Sequence, residues 1–369
     1  MKIKSLLLGS AAAMFAVSGA SAADAIIAAE PEPVEYVRVC DAFGNGYFYI
    51  PGTETCLKLS GFVRFDIKFN SNKDSYSTNT RGRLNIQARE STEYGDLHAY
   101  VRIEGDNSPD LNDKSSYDGG AVIDQAYAEL GGLIFGYTET TWVSSKNGGK
   151  SGFGTHSSSG LAYGYSQANQ IGYNLTGGNW FASITANDDG DTATYMPDIT
   201  GRVGGVFGGM TIYAAGGYDQ SAENFGVKLG LNTDIGAAGN LIVQGFYADG
   251  PTRWGANAGP VGAATTHTPE WSVLASYQHQ FAPNFKGSIG GQYSYDYYNA
   301  ALAGTAPIAS ASSGVDSWAI EGVLVWYPVD NLEVRGEIRY TDFSSGTLAG
   351  AAYGGGDATT GLFRLQRNF

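Results

Sequence analysis

The chain has 369 residues, of which 13% are aromatic and 53 are glycine, and its formal net charge at pH 7 is −14. An acidic chain without a block of basic residues cannot neutralise many phosphates, so nucleic acid is excluded as a partner. Abundant glycine and tyrosine beside 11 prolines predict many strands joined by tight turns.

The N-terminus has the features of an export signal. Lys2 and Lys4 precede an apolar run at 6–17, and the small residues 20–22 follow. We expect residues 1–22 to be a signal peptide that is cleaved after Ala22. A membrane-anchoring helix is the weaker alternative, because the run is shorter than the roughly 18 residues of a helical span. Cleavage would remove two of the 22 basic residues and none of the 36 acidic ones, which lowers the net charge from −14 to −16.

Residues 23–56 lack transmembrane character and are predicted to be a periplasmic extension that ends in a hairpin. This segment holds both cysteines, Cys40 and Cys56. In an exported chain we expect them to form a disulfide, which would stabilise the loop by about 3 kcal/mol on the chain-entropy model. A metal site is the weaker alternative, because the histidines lie far away in sequence without paired spacing. The four histidines, His98, His156, His267 and His279, also form no Ser-His or Asp-His grouping. We therefore expect neither an enzyme nor a cofactor.

An alternation of apolar and polar residues begins at Leu57 and continues through 57–369, the predicted membrane domain. In the stretch 57–69, one side of an extended strand is apolar, whereas Arg64, Asp66 and Lys68 fall on the other side. A strand of this length fits a tilted crossing of a bilayer, which takes about 9–11 residues. The sequence therefore predicts a first membrane-spanning strand here.

The alternation recurs in sixteen stretches that are separated in turn by long connections and short turns, as in outer-membrane barrels. We predict an all-β fold, a 16-stranded antiparallel transmembrane β-barrel, with fourteen or eighteen strands as alternatives. Three runs rich in glycine, alanine and serine are predicted loops: 250–266, 300–314 and 344–357. The predicted strands are 57–69, 79–90, 96–104, 121–130, 133–139, 166–175, 179–187, 198–206, 210–218, 224–233, 240–248, 269–281, 286–297, 316–327, 332–343 and 358–369.

The charged residues fall on alternate positions of the strands, and these positions must face the water inside the barrel. A charged side chain that faced lipid near the midplane of the bilayer would cost about 2–4 kcal/mol. Barrel closure would bring the last strands beside the first. The wall charges either form a ladder of arginines that acts on permeating ions or are paired charges that only keep the wall wet. The predicted pore-lining residues are Arg64, Asp66, Lys68, Arg83, Arg102, Glu104, Glu333, Arg335, Glu337, Arg339 and Arg364. Aromatic residues suited to the membrane interfaces are Trp254, Trp271, Trp318, Trp326 and Tyr327.

Several stretches go beyond this pattern. The segments 32–44, 47–57 and 61–64 resemble the opening of the general porins of alphaproteobacteria such as the rhizobia and brucellae. The segment 125–136 resembles the passage from the fourth to the fifth strand of porins generally, and 363–369 resembles the family terminus.

This resemblance implies a homotrimer of barrels in the Gram-negative outer membrane, surrounded by lipid and lipopolysaccharide, that forms passive channels for small hydrophilic solutes. It implies that the final residue, Phe369, is recognised by the barrel-assembly machinery. If cleavage follows Ala22, the new N-terminal residue Ala23 resembles the residue through which some relatives are tethered to peptidoglycan.

The resemblance also implies that the third outer loop folds into the barrel and narrows it. By position this loop lies at about 140–165, and the candidate constriction residues are Glu139, Trp142, Lys146, Lys150 and His156. Porins of the enteric type carry an acidic cluster here, whereas this segment has no Asp or Glu after Glu139. A transverse field between an acidic loop and a basic wall is therefore not carried over to this chain.

An acidic stretch follows the third predicted strand and contains Asp106, Asp110, Asp113 and Asp118. It could bind divalent cations near lipopolysaccharide. Because it lacks the ordered spacing of a calcium loop, a solvated outer loop is the favoured interpretation.

We expect a general diffusion porin. The alternatives are a solute-specific, sugar-type channel, which saturable flux of one sugar would favour, and a mainly structural anchor between the outer membrane and peptidoglycan. Normal permeability but a detached envelope in a deletion strain would favour the anchor.

Overall fold

The structure is a computed structural model that describes residues 38–73, 75–107, 120–143, 161–188, 190, 195–263, 265–300 and 311–369. Several predictions fall outside these residues: the signal peptide 1–22, Ala23, Lys146, Lys150, His156, Asp110, Asp113 and Asp118. Among the described residues, no helix is long and apolar enough to cross a membrane.

Sixteen long strands make up most of the described chain, and each is antiparallel to its neighbours. They are β1 (Cys56–Asn70), β2 (Ser75–Thr92), β3 (Gly95–Asn107), β4 (Ala121–Leu130), β5 (Leu133–Glu139), β6 (Gln167–Thr176), β7 (Trp180–Asn187), β8 (Asp198–Phe207), β9 (Met210–Asp219), β10 (Asn224–Ile235), β11 (Gly239–Ala248), β12 (Pro269–Ala282), β13 (Phe285–Tyr297), β14 (Ser317–Val329), β15 (Leu332–Phe343) and β16 (Gly356–Asn368). The last strand pairs with the first, where Phe363 lies opposite Ile67, so the sheet is closed. The prediction of a 16-stranded antiparallel barrel is confirmed.

The two faces of the strands differ as the alternation predicts. On β1, Leu59 and Val63 are 50% and 56% exposed on the outer face, whereas Phe62 and Asp66 are buried on the inner face. An apolar outer surface is the surface that a lipid bilayer accepts, because hydrocarbon cannot hydrate charged groups. The polar and charged side chains therefore lie inside the barrel.

The interfacial aromatic residues are only partly as predicted. Trp271, Trp318 and Trp326 are exposed on the outer face, as the prediction requires. The prediction is wrong for Trp254, which is completely buried because the connection that carries it folds back against the inner wall. It is also wrong for Tyr327, which follows the outward Trp326 in the alternation and donates its hydroxyl to Glu333 at 3.2 Å.

Residues 39–49 form a hairpin at the rim of the barrel. Cys40 and Cys56 form the predicted disulfide, with their Cα atoms 6.0 Å apart. The short strand Phe48–Tyr49 pairs with Leu57 and Cys56 at the start of β1, whereas the C-terminal end of the chain bonds β1 only from Gly61 onward. The hairpin therefore covers an edge of β1 that would otherwise present unpaired main-chain groups.

The turn of this hairpin contacts inner-face side chains of β1 and β2. Lys58 Nζ donates to the carbonyl of Asn45 at 2.9 Å, and the Tyr47 hydroxyl donates to Gln87 Oε1 at 2.9 Å. The turn contains Gly46, whose φ of +87° is unfavourable for residues with a side chain. The hairpin is thus fixed at the mouth of the lumen by the disulfide and by these two contacts.

Replacing Cys40 and Cys56 together by serine is expected to release this hairpin while the barrel persists. The bond joins residues 16 apart in sequence, and closing a loop of this size contributes about 3 kcal/mol on the chain-entropy model. Limited proteolysis in detergent should show faster cleavage within 41–55, and reduction of the unmodified protein should have the same effect. An unchanged cleavage rate in both samples would contradict this expectation.

At the other end of the barrel, the long connections pack on one another. A buried cluster of Tyr297, Val315, Phe343 and Leu348 joins the described parts of the connections 298–316 and 344–355, and Val261 of the connection 249–268 packs against it. Tyr353, in a short hairpin formed by Gly346–Leu348 and Ala351–Tyr353, donates its hydroxyl to the carbonyl of Val261 at 3.0 Å. The described parts of the predicted loops are therefore joined to one another at this end of the barrel.

Candidate functional site

The inner faces of β1–β4 and β14–β16 form a continuous surface rich in charged residues, which we call the charged wall. Cross-strand pairing aligns its residues in rows. One row contains Arg335, Arg364, Asp66 and Asn79, and the next contains Glu333, Gln366, Arg64, Arg81 and Asp106. Charges from strands that are far apart in sequence are thus direct neighbours.

The seam between the last and first strands carries a buried ion pair. Arg364 Nε and Nη2 donate to the two carboxylate oxygens of Asp66 at 2.7 and 2.9 Å. The residues are only 5% and 1% exposed. Two parallel hydrogen bonds between a guanidinium and a carboxylate are strong and directional. This pair therefore fixes the closure of the barrel.

A second group of ions lies on β2 and β3. Arg81 contacts Glu104 at 2.8 Å and Asp106 at 2.6 Å, and Arg83 also pairs with Glu104. Arg102 contacts Asp124 of β4 at 3.2 Å. Each arginine in this group has an acidic partner on an adjacent strand.

Phe62 separates two of the wall arginines. The guanidinium carbon of Arg64 lies 4.3 Å from the centre of the Phe62 ring, and that of Arg83 lies 4.6 Å from it. Arg64 Nε also donates to Gln366 Oε1 at 2.7 Å. Contact with an aromatic face orients a cation without neutralising it, so Phe62 fixes the positions of the two guanidinium groups and leaves their charges unchanged.

The last strands add a further charged network. Arg335 contacts Glu333 at 2.8 Å and Glu337 at 3.1 Å, all on β15. Arg339 lies opposite the buried Glu321 of β14 in register. Lys68 lies opposite Leu362 and is half-buried. All the residues predicted to line the pore thus lie on the inner phase of their strands.

The connection between β5 and β6 is described at its two ends, 140–143 and 161–166. Its first end follows Glu139, whose carbonyl accepts a hydrogen bond from Gln170 Nε2 at 3.0 Å. Thr141 Oγ1 donates to Thr200 Oγ1 on the inner face of β8 at 2.9 Å. At the other end, burial raises the pKa of the Tyr163 hydroxyl to about 12, with a contribution from the charge of Glu139. Both ends therefore lie inside the barrel.

Trp142 belongs to an apolar cluster on the inner face of β9–β12, which we call the lumen joint. Its other members come from the barrel wall, from residue 161 and from the connection 249–268; the full set is Trp142, Leu161, Ala215, Phe246, Trp254, Ala256 and Leu274. The joint is closely packed, since each of these residues is at most 5% exposed. This sector of the inner wall thus differs sharply from the charged wall.

Five inner residues at the charged wall and the lumen joint were missed by the prediction. Arg81 lies two residues before Arg83 in the same phase, a signal that was present in the sequence. The prediction that Asp106 belongs to a solvated outer loop is wrong, because Asp106 lies near the end of β3 and pairs with Arg81 of β2. Asp124 and Glu321 could be found only from their cross-strand partners, which depend on the register. Lys228 contacts main-chain carbonyl groups, and no sequence pattern marks those.

Within the described residues, no group of three or more His, Cys, Asp or Glu side chains could hold a metal ion. His98 and Glu129 are in contact at 3.0 Å, and the ring of His98 packs against the rings of Tyr100 and Tyr127. His267 bonds Thr265 and the carbonyl of Tyr298. These two histidines are thus bound to neighbouring groups of the protein.

Comparison with known proteins decides the family. The family model described as the Porin subfamily matches residues 24–361. The chain belongs to this porin family. Porin Omp2b of Brucella suis is 33% identical to this porin over an alignment of 403 positions that covers both chains completely.

Solved structures agree in fold. The outer-membrane channel DcaP of Acinetobacter baumannii superimposes with a TM-score of 0.64 at 14% identity, and 87% of this porin and 99% of DcaP are covered. OmpT of Vibrio cholerae in its trimer form gives a TM-score of 0.57 at 13% identity, covering 86% and 100% of the two chains. This porin is an outer-membrane channel, and its apolar outer face and charged inner face fit that setting.

Proposed function

We propose that this porin is a general diffusion channel, through which small hydrophilic solutes and ions pass down their gradients. The charged wall is the observation that supports it. Its ions are mostly paired with one another, which keeps the surface hydrated. A barrel of sixteen strands is wide enough to contain water. Transport then depends on the geometry of the lumen and on its electrostatics.

The open path is proposed to follow the charged wall, because the opposite sector is filled by the lumen joint. In this proposal the wall residues line the pore: Arg64, Asp66, Lys68, Arg83, Arg102, Glu104, Glu333, Arg335, Glu337, Arg339 and Arg364. The connection between β5 and β6 is the constriction, with Glu139 and Trp142 at its start. The contacts of Trp142 inside the barrel support this role.

The similarity to other porins also supports proposals on the assembly and export of the protein. We propose a homotrimer, in keeping with the trimer form of the structurally similar OmpT. Residues 1–22 are proposed to direct export, Phe369 to be recognised by the barrel-assembly machinery and Ala23 to be a site of attachment to peptidoglycan. Digestion of purified sacculi without recovery of a muropeptide linked to Ala23 would contradict the last of these.

Liposome swelling tests the proposed transport. Proteoliposomes that contain the purified protein should admit sugars at rates that fall smoothly with solute size and rise linearly with concentration. Heat-denatured protein serves as the control. Saturation by one sugar, with competition by its analogues, would contradict general diffusion and favour a solute-specific channel. Absence of swelling with every solute would contradict channel function itself.

A further inference from the structure

Lys228 lies against the lumen joint, although its side chain ends in a polar amino group. It is 0% exposed, and its Nζ donates to the carbonyl oxygens of Trp142 at 2.6 Å and Tyr163 at 2.9 Å. Nζ also lies 4.5 Å from the ring centre of Trp142 and 5.1 Å from that of Phe246. Burying an amino group is unfavourable unless its donors are bonded. One buried amino group therefore binds the main chain at both ends of the β5–β6 connection.

The inner face of β10 is shaped around this lysine. Gly226 and Gly230 lie two residues to either side of Lys228 on that face. A Cβ atom on Gly226 would lie 1.6 Å from the carbonyl oxygen of Trp254, and one on Gly230 would lie 2.0 Å from the ring of Tyr213. Any larger residue would displace these groups, so Gly226 provides the space for Trp254 of the connection 249–268, and Gly230 provides the space for the ring of Tyr213 beside Lys228.

Two further contacts hold the same parts of the chain. Gln292 of β13 exchanges a pair of hydrogen bonds with the main chain of Ala162, both at 2.8 Å. The rings of Trp254 and Trp142 lie 6.2 Å apart, and Trp254 Nε1 donates to Asp198 at 3.1 Å. The two ends of the β5–β6 connection and the connection 249–268 thus meet against one sector of the wall.

We propose that Lys228 is the positioning residue of the permeation path. It holds both ends of the β5–β6 connection against β9–β13, where Trp254 of the connection 249–268 packs on Trp142. This sector then stays dry, and solutes move along the charged wall. Lys228 does not contact the solute, and its amino group acts on the path only through the main chain that it binds. The inference rests on the proposed channel function and specifies which residue determines where the path lies.

A cysteine inside the lumen joint can report whether the joint is dry. Ala215 is 3% exposed and lies opposite Lys228 in register. Both native cysteines are bonded to each other, so Ala215→Cys adds a single free thiol. We expect a cationic methanethiosulfonate to leave this thiol unlabelled in the otherwise native protein. It should label the thiol once Lys228→Met removes the amino group and keeps most of the aliphatic chain.

Lys286→Met is the matched control, because Lys286 is a half-buried lysine on the inner phase of β13, remote from the lumen joint. It removes the same chemical group and should leave Ala215→Cys protected. In planar bilayers, Lys228→Met should raise the single-channel conductance and the current noise, whereas Lys286→Met should leave the noise unchanged. Heat-resistant migration on electrophoresis establishes that each barrel is assembled.

If Lys228→Met does not assemble, Trp254→Ala opens the joint without removing the Lys228 amino group, and it should expose the same thiol. Labelling of Ala215→Cys in the protein that keeps both Lys228 and Trp254 would overturn the inference. Continued protection in the assembled Lys228→Met variant, or in Trp254→Ala if that variant replaces it, would also overturn it. A wild-type protein that conducts no current would instead contradict the proposed function, and the labelling results would still decide whether Lys228 holds the joint.

Discussion

Asp66→Asn is expected to destabilise the barrel much more than Asp106→Asn. Each carboxylate accepts two hydrogen bonds from one arginine, at 2.7 and 2.9 Å for Asp66 and at 2.7 and 2.6 Å for Asp106. The two sites differ in burial, since the side chain of Asp66 is 2% exposed and that of Asp106 is 35% exposed. Breaking a buried ion pair costs about 3–5 kcal/mol, whereas an exposed pair contributes about 0–1 kcal/mol.

Urea titration of the heat-modifiable electrophoretic shift measures this difference. The midpoint for Asp66→Asn should fall well below that of the unmodified protein, and the midpoint for Asp106→Asn should stay close to it. A double replacement, Asp66→Leu with Arg364→Met, should recover much of the loss, because apolar residues often replace a buried pair at little cost. Equal midpoints for the two single variants would contradict the view that this pair fixes barrel closure.

Neutralising three wall arginines together is expected to make the channel more cation-selective. Replacing Arg64, Arg83 and Arg102 by glutamine removes three positive charges and leaves Glu104 and Asp124 in place. The potential along the path then becomes more negative, which favours cations. Charges in water are screened over about 8 Å at physiological salt, so the shift should be larger in dilute salt than in concentrated salt.

The reversal potential under a potassium chloride gradient measures this change. It should move towards the potassium equilibrium potential in the triple variant. Arg367→Gln is the control, because Arg367 is an exposed arginine on the outer phase of β16, and this change should leave the reversal potential where it was. An unchanged potential in the triple variant would mean that the arginines only keep the wall hydrated. The channel would remain, but its selectivity would be determined elsewhere.

The strands and their inner phase could be predicted from the sequence because alternation is local. On β15, Glu333, Arg335 and Glu337 alternate with apolar residues, and lipid excludes every arrangement except the one that points them inward. The disulfide was also predictable, since Cys40 and Cys56 are the two cysteines of an exported chain. These predictions needed no knowledge of how distant strands align.

The partners of these residues could not be predicted, because they depend on the register of strand pairing. Asp66 and Arg364 are 298 positions apart, and a shift of two residues between β16 and β1 would give Asp66 another partner. Phe246 and Leu274 could have been noticed in the sequence, since an apolar side chain that faces the lumen needs another apolar group packed against it. That packing comes from Trp142 and from Trp254 of the connection 249–268, and no local pattern specifies where such a connection folds.

Single-channel recording of Ser60→Cys tests most directly whether the open path follows the charged wall. Ser60 lies on the inner face of β1 beside Asn85, and cysteine has nearly the same size. A bulky thiol reagent added to an open channel should lower the current in discrete steps, one for each subunit. A steady current after complete labelling, confirmed by mass spectrometry, would show that solutes pass elsewhere and would contradict this account.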